Sequence, residues 1–147
     1  MAERTEGRIS IDASAEEVMD VLTDYEAYPE WAEVKSATVL ERGEGGRATK
    51  VAFEVEVPVL GHASYTLAYR YAPGDAGMSW VSTEAQGSVS AIRGEYLLTE
   101  TAEGGTEVVY RLSVELGVLV PGFVRTQGQK RVIANALEGL KRRVERA

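Results

Sequence analysis

Apolar and polar residues alternate with a period of two through most of this chain, and helical spacing interrupts that alternation in only two places. Arg8-Ile9-Ser10-Ile11-Asp12 alternates as a first strand. Ser14-Ala15-Glu16-Glu17 then forms a capping box, in which the serine hydroxyl accepts from the backbone and the glutamate reaches back, so a helix is predicted to start there. Val18, Met19, Val21 and Leu22 give it an apolar stripe. Pro29 stops any continuation, which leaves Tyr25 to Trp31 as a turn or a second very short helix. Strand character resumes over residues 34–42, and Gly43-Glu44-Gly45-Gly46 reads as a hairpin turn whose glycines allow positive φ. Those glycines lack the Lys-Ser/Thr ending and the following helix of a phosphate loop.

Further strands follow, each beside a turn signal. Val51, Phe53, Val55 and Val57 share one face, and Ala63, Tyr65, Leu67, Tyr69 and Tyr71 share the next. Pro73-Gly74-Asp75-Ala76-Gly77 turns the chain into a strand holding Met78 and Trp80. Ile92, Gly94, Tyr96 and Leu98 line another strand, which Glu103-Gly104-Gly105-Thr106 closes as a hairpin. The last strand is the most regular, with Val108, Tyr110, Leu112, Val114 and Leu116 on one face and Val109, Arg111, Ser113 and Glu115 on the other. Pro121 and Gly122 open a final helix, along which Phe123, Ile133, Leu137, Leu140 and Val144 recur at helical spacing.

Each strand has one oily face to cover, and only this last helix is long enough to cover them. The pattern therefore predicts an α+β fold, a curved antiparallel sheet wrapped around one C-terminal helix with a hollow between them. Between Phe123 and Ile133 the inward candidates are polar: Gln127, with Lys130 or Arg131, beside Gly128. Facing a closed core unpaired, each would cost on the order of 1–3 kcal/mol. A ligand cavity or water removes that conflict.

Composition narrows the chemistry. At 147 residues and 44% hydrophobic the chain suits one domain, residues 1–147, with one core. It has no cysteine, so disulfide and thiolate chemistry are excluded. With His62 as its only histidine, a zinc site would need carboxylates almost alone. No metal and no cofactor are expected. The net charge of −7 argues against nucleic-acid binding. From Pro121 onward seven bases face two acids, a surplus of five positive charges, so the remainder carries twelve negative ones. The helix could dock on an anionic membrane or a partner; the expectation adopted is a solvated face whose Arg142, Arg143 and Arg146 complement the helix dipole. The N-terminal residues carry no apolar stretch, and Val118-Leu119-Val120 is far too short to span a bilayer. No stable membrane insertion is expected, the chain reads as cytoplasmic, and the pattern names no oligomeric state.

Four motifs carry a resemblance. They are the Asp24-x-x-x-Tyr28-Pro29-x-Trp31 turn, Arg93-Gly94-x-Tyr96, Gly105-Thr106-x-Val108-x-Tyr110, and the Val120-Pro121-Gly122-Phe123 start of the helix. In this order, from about Arg8 to Val144, the chain resembles the START-like (SRPBCC) superfamily, and within it the bacterial polyketide cyclase/dehydrase and coenzyme-Q-binding Coq10-type branch. The resemblance implies a helix-grip fold: a seven-stranded antiparallel sheet curled around the C-terminal helix, two small helices closing one end, and an apolar cavity between. The superfamily holds lipid carriers, quinone binders, hormone sensors and aromatic cyclases, so the fold does not by itself name the activity.

With the oily faces turned toward the helix, the candidate lining is Phe53, Val55, Tyr65, Leu67, Tyr69, Trp80, Ile92, Tyr96, Tyr110 and Leu112. Trp31 joins it from the turn, and Phe123 and Gln127 from the helix. Such a wall suits a flat or elongated hydrophobic molecule whose carbonyl or hydroxyl is oriented by phenols. Core filling is the competing reading for any one tyrosine.

A family cyclase typically uses a cavity arginine to polarise a carbonyl, which makes Arg70, Arg93 and Arg111 worth testing. Each alternates with residues of the oily face, so all three are expected outside, pairing with Glu95 or Glu115. Glu54 and Glu56 alternate outward as well, and His62 is expected to be solvent-exposed at a strand end. The leading expectation is therefore binding, or carriage, of a hydrophobic small molecule such as a lipid, a quinone or a polyketide-like aromatic. Two alternatives stay open: a polyketide cyclase or dehydratase using the same cavity, and a non-catalytic protein or membrane interaction module using the basic helix.

Overall fold

The structure is a computed structural model and describes residues 4–146. Met1 to Glu3, part of the N-terminal stretch read as lacking an apolar segment, lie outside the described residues, as does Ala147. The strands are β1 (Thr5–Ile11), β2 (Ser36–Arg42), β3 (Ala48–Val57), β4 (Gly61–Tyr71), β5 (Gly77–Gly87), β6 (Val89–Glu100) and β7 (Thr106–Leu116). They form one antiparallel sheet in the order β1-β7-β6-β5-β4-β3-β2. Two α-helices accompany it among the described residues, α1 (Ala15–Leu22) and α2 (Gly122–Arg146). This is the α+β helix-grip arrangement that the sequence resemblance implied.

Local chemistry sets the start of α1. Glu17 N donates to Ser14 Oγ at 3.2 Å, and Ser14 N donates back to Glu17 Oε1 at 3.3 Å. Val18, Met19 and Leu22 are then buried completely. Pro29 lies inside a short 3-10 helix, Tyr25–Glu30, rather than a loose turn. There Tyr28 Oη donates to the Leu22 carbonyl at 2.5 Å, folding this segment back on the end of α1.

Two boundaries differ from the alternation. β1 begins at Thr5, because β7 extends the ladder to a Thr5–Leu112 pair, whereas Asp12 leaves the strand and donates its N–H to Glu145 Oε2 at 2.8 Å. β2 begins only at Ser36, since Val34 N bonds the Ala32 carbonyl at 2.9 Å in a turn.

The register places the apolar faces as the period-two pattern requires. Phe53 sits opposite Tyr65, Tyr69 opposite Trp80, Trp80 opposite Gly94, and Tyr96 opposite Tyr110. A register shift between Thr66 and Leu67 bulges the β4–β5 pair, a device that bends a sheet.

Helix α2 lies over one edge of this bent sheet, against β1 and β7. A Cβ on Gly7 would stand 2.5 Å from Ile133 Cγ2, so the missing side chain is what lets the helix approach β1. Gln129 ties the same contact with hydrogen bonds: its Oε1 accepts from Val114 N at 2.9 Å, and its Nε2 donates to Thr5 Oγ1 at 2.6 Å. Ile133, Leu137, Leu140 and Val144 continue the buried stripe. With α2 held at the β1–β7 edge, it does not pack directly on the concave faces of β3 to β6.

Gln129→Leu keeps the side-chain volume and removes these bonds, leaving Val114 N and Thr5 Oγ1 desolvated. A loss of about 1–3 kcal/mol is expected in urea unfolding, and an unchanged midpoint would contradict the role assigned to Gln129.

Candidate functional site

Between the uncovered concave face and α2 lies a cavity of about 700 Å³. Its wall is built by the strand faces that the alternation identified: Phe53 and Val55 from β3, Tyr65, Leu67 and Tyr69 from β4, and Trp80 from β5. Ile92 and Tyr96 follow from β6, and Tyr110 and Leu112 from β7. Trp31 closes one side from the segment after the 3-10 helix, and Gln127 reaches the wall from α2.

Phe123 is the correction. It is 72% exposed and absent from the cavity wall. A helix turns about 100° per residue, so a residue ten positions before Ile133 stands about 80° off the buried stripe, on the flank away from the cavity. The stripe that does face the cavity is Arg125, Gly128, Val132 and Ala136, spaced by three and four residues. Lys130 is exposed and Arg131 lines only an exposed part of the wall. Gln129, the polar residue that is buried, was not among the inward candidates. The only cue for it in the sequence was its place four residues before Ile133.

Other wall residues also escaped the pattern. Tyr28 belongs to the turn motif, and Pro58, Val59 and Leu60 form the β3–β4 hairpin at the mouth. Val59 is fully exposed with φ of 72°, a left-handed conformation that a β-branched side chain rarely adopts.

Aromatic rings run in near-continuous contact along the wall. Tyr28 meets Trp31 at 4.9 Å between centroids and Phe53 at 5.9 Å, while Phe53 meets Tyr65 at 5.7 Å. Tyr69 meets Trp80 at 5.9 Å, Trp80 meets Tyr96 at 5.3 Å, and Tyr96 meets Tyr110 at 4.5 Å. A Cβ on Gly94 would come 2.6 Å from the Trp80 ring, so this glycine gives the indole its seat.

The phenols divide into two groups. At the closed end Tyr25 Oη and Tyr71 Oη lie 2.8 Å apart, and Tyr71 donates to the Ala48 carbonyl at 2.6 Å, so these tips are satisfied within the protein. The hydroxyls of Tyr65, Tyr69, Tyr96 and Tyr110 have no hydrogen-bond partner among the described residues, and all four side chains line the cavity. Burial raises the pKa of each, that of Tyr65 to about 12, so they are neutral donors.

Arg125 Nε is the one buried side-chain polar atom without a partner among the described residues. A desolvated donor left unpaired costs roughly 1–3 kcal/mol. Glu33 and Glu56 also touch the cavity, but both are exposed. Glu33 accepts from Asn135 Nδ2 at 2.6 Å, and Glu56 Oε1 lies 3.4 Å from His62 Nδ1.

The strand arginines stand on the convex face, as their alternation implies. Arg70, Arg93 and Arg111 share it with Arg4 and Glu95. Arg111 donates from Nε to Glu6 Oε1 at 2.7 Å and from Nη1 to Glu95 Oε2 at 3.2 Å, contacts that hold the Glu6 carboxyl below the usual range. His62 is solvent-exposed beside Glu54 and Glu56. Among the described residues no group of His, Cys, Asp and Glu could hold a metal ion, and no helix is long and apolar enough to cross a membrane.

A family model described as polyketide cyclase / dehydrase and lipid transport matches residues 2–145. Among solved structures, a START superfamily protein from Mycobacterium smegmatis is 22% identical, with a TM-score of 0.88 over 97% of each chain. The Zhui aromatase/cyclase from Streptomyces sp. R1128 is 17% identical at a TM-score of 0.81, over 99% of this chain and 95% of that one. A STAR-related lipid transfer protein from Xanthomonas axonopodis is 19% identical at a TM-score of 0.76, over 97% of this chain and 85% of that one. At these identities the likeness establishes the START-like fold. No curated protein matches the sequence.

The buried phenols make an alkaline titration informative. Each favours its protonated form in the folded chain, so above the ordinary value of 10 the unfolded state binds fewer protons. Stability from the neutral phenols is complete below about pH 10 and is lost as pH rises through the folded values. Phenolate absorbance from Tyr69, Tyr96 and Tyr110 is expected to appear only together with loss of the fold; ionisation of the cavity tyrosines at pH 10 in an intact fold would contradict the assigned burial.

Proposed function

The chain belongs to the polyketide cyclase, dehydrase and lipid transport family, and from that premise we propose that it binds, and carries, a hydrophobic small molecule in the cavity between sheet and α2. The observation that carries this reading is a mainly apolar wall with four phenol hydroxyls that have no hydrogen-bond partner among the described residues. Phenols packed merely to fill a core would have their tips paired, as Tyr25, Tyr28 and Tyr71 do. A volume of about 700 Å³ lies within the range of small-molecule sites. A ligand placing roughly 400 Å² of apolar surface there gains on the order of 10 kcal/mol before the costs of association.

Gly128 supports the same reading. Glycine inside a helix costs about 0.5–1 kcal/mol relative to alanine, and a Cβ there would meet nothing within 4 Å. The helix thus leaves room above the wall where a side chain would fit. The ligand classes that suit the rings and hydroxyls are a lipid, a quinone of the Coq10-type branch, or a polyketide-like aromatic. Binding is preferred to cyclisation because the sheet supplies neutral phenols while its arginines stand on the convex face, and the rim carboxylates already have partners.

Native mass spectrometry of the purified protein, with analysis of its organic extract, is expected to show a co-purifying hydrophobe. Nile red should bind the apo-protein, and Leu112→Trp or Val132→Trp should weaken that binding at least about tenfold while circular dichroism stays native. Equal binding by both folded variants would overturn the cavity as the site.

A further inference from the structure

We infer that the cavity takes an amphiphile with a single carboxylate terminus, which Arg125 receives at the α2 side of the mouth while the apolar body lies along the aromatic wall. The inference rests on the binding reading above and adds the polarity and orientation of the ligand.

Three observations converge on Arg125. First, helical phase directs it inward: Gly128, Val132 and Ala136, three, seven and eleven positions further on, all line the same cavity. Second, its Nε is buried without a hydrogen-bond partner among the described residues. A guanidinium can only donate, and this side chain lines the cavity with no acceptor among the described residues, so its other donors are left for a ligand. Third, the two carboxylates that touch the cavity do not pair with it, since Glu33 is taken by Asn135 and Glu56 stands beside His62. Two other cations along α2 are paired. Lys141 donates to the Ser10 carbonyl at 2.6 Å and to Glu145 Oε2 at 3.0 Å, and Arg143 Nη1 donates to Glu30 Oε1 at 2.9 Å.

A carboxylate matches the planar fork of guanidinium, and a partly desolvated ionic hydrogen bond of this kind is stronger than one between neutral groups. The charge distribution favours the same end of the cavity. Arg125, Lys130 and Arg131 are the charged residues between positions 121 and 137, with no acid among them, within a molecule of net charge −7, so an anionic terminus is attracted to this half of α2. The opposite end of the ligand meets Tyr65, Tyr69, Tyr96 and Tyr110, neutral hydroxyls suited to a carbonyl, a hydroxyl or bare hydrocarbon.

The test compares parinaric acid with its methyl ester, two fluorescent probes of nearly equal apolar surface that differ in the terminal charge, on delipidated full-length protein at neutral pH. The acid is expected to bind at least about tenfold tighter than the ester. Arg125→Met should bring the ratio close to one by weakening the acid alone. Arg125→Lys should restore part of the preference, and the exposed Arg142→Gln, which removes the same charge elsewhere on α2, should keep all of it. Ester binding doubles as the control for folding of each variant. Equal binding of acid and ester by the unmodified protein, or a preference that survives Arg125→Met, overturns the anchor and leaves the hydrophobic site standing. Binding of neither probe overturns the site and the anchor together.

Discussion

The seat of Ile133 on Gly7 governs this molecule. Because β1 carries no side chain at that point, α2 drops onto the β1–β7 edge, and Gln129 holds it there through Val114 and Thr5. A helix anchored at an edge cannot also fill the middle of a bent sheet. The concave face of β3 to β6 is therefore buried beneath the helix without being packed by it, and the cavity is the volume left between. Close packing elsewhere makes this space notable, since protein interiors ordinarily leave few voids larger than a water molecule.

Polar groups are sorted around that volume according to what each can find. The phenols at the closed end satisfy one another and the backbone, while the four on the cavity wall keep free hydroxyls and remain neutral through burial. Charges are kept to the convex face and the rim, where Arg111 pairs with Glu6 and Glu95. The basic character of α2, which suggested a docking surface, is partly spent inside the fold: Lys141 and Arg143 tie the helix to β1 and to the 3-10 helix. Arg125 stands apart because it lines the cavity while its buried Nε has no hydrogen-bond partner among the described residues.

The strand faces could be read from residue order alone. A period of two has only two phases, so once Tyr65, Leu67 and Tyr69 are assigned to one side, Arg70 must take the other, and the same holds for Tyr110 and Arg111. The capping box was equally legible, because Ser14 and Glu17 interact within four residues and need nothing distant. Phe123 could not be placed in this way. The apolar stripe of α2 is interrupted for nine residues before Ile133, and a helix has many phases rather than two, so extrapolation across that gap lost the rotation.

Residue order by itself determined which faces are oily, where the first helix begins, and that one helix must serve a whole sheet; these follow from backbone periodicity and from contacts between near neighbours. Only the tertiary structure decided where on the sheet that helix rests, which of its faces meets the cavity, and which polar tips go unpaired. Those properties depend on contacts such as Gly7 with Ile133 and Gln129 with Thr5, made by residues more than a hundred positions apart. Distance along the chain carries no information about such contacts until the sheet has closed.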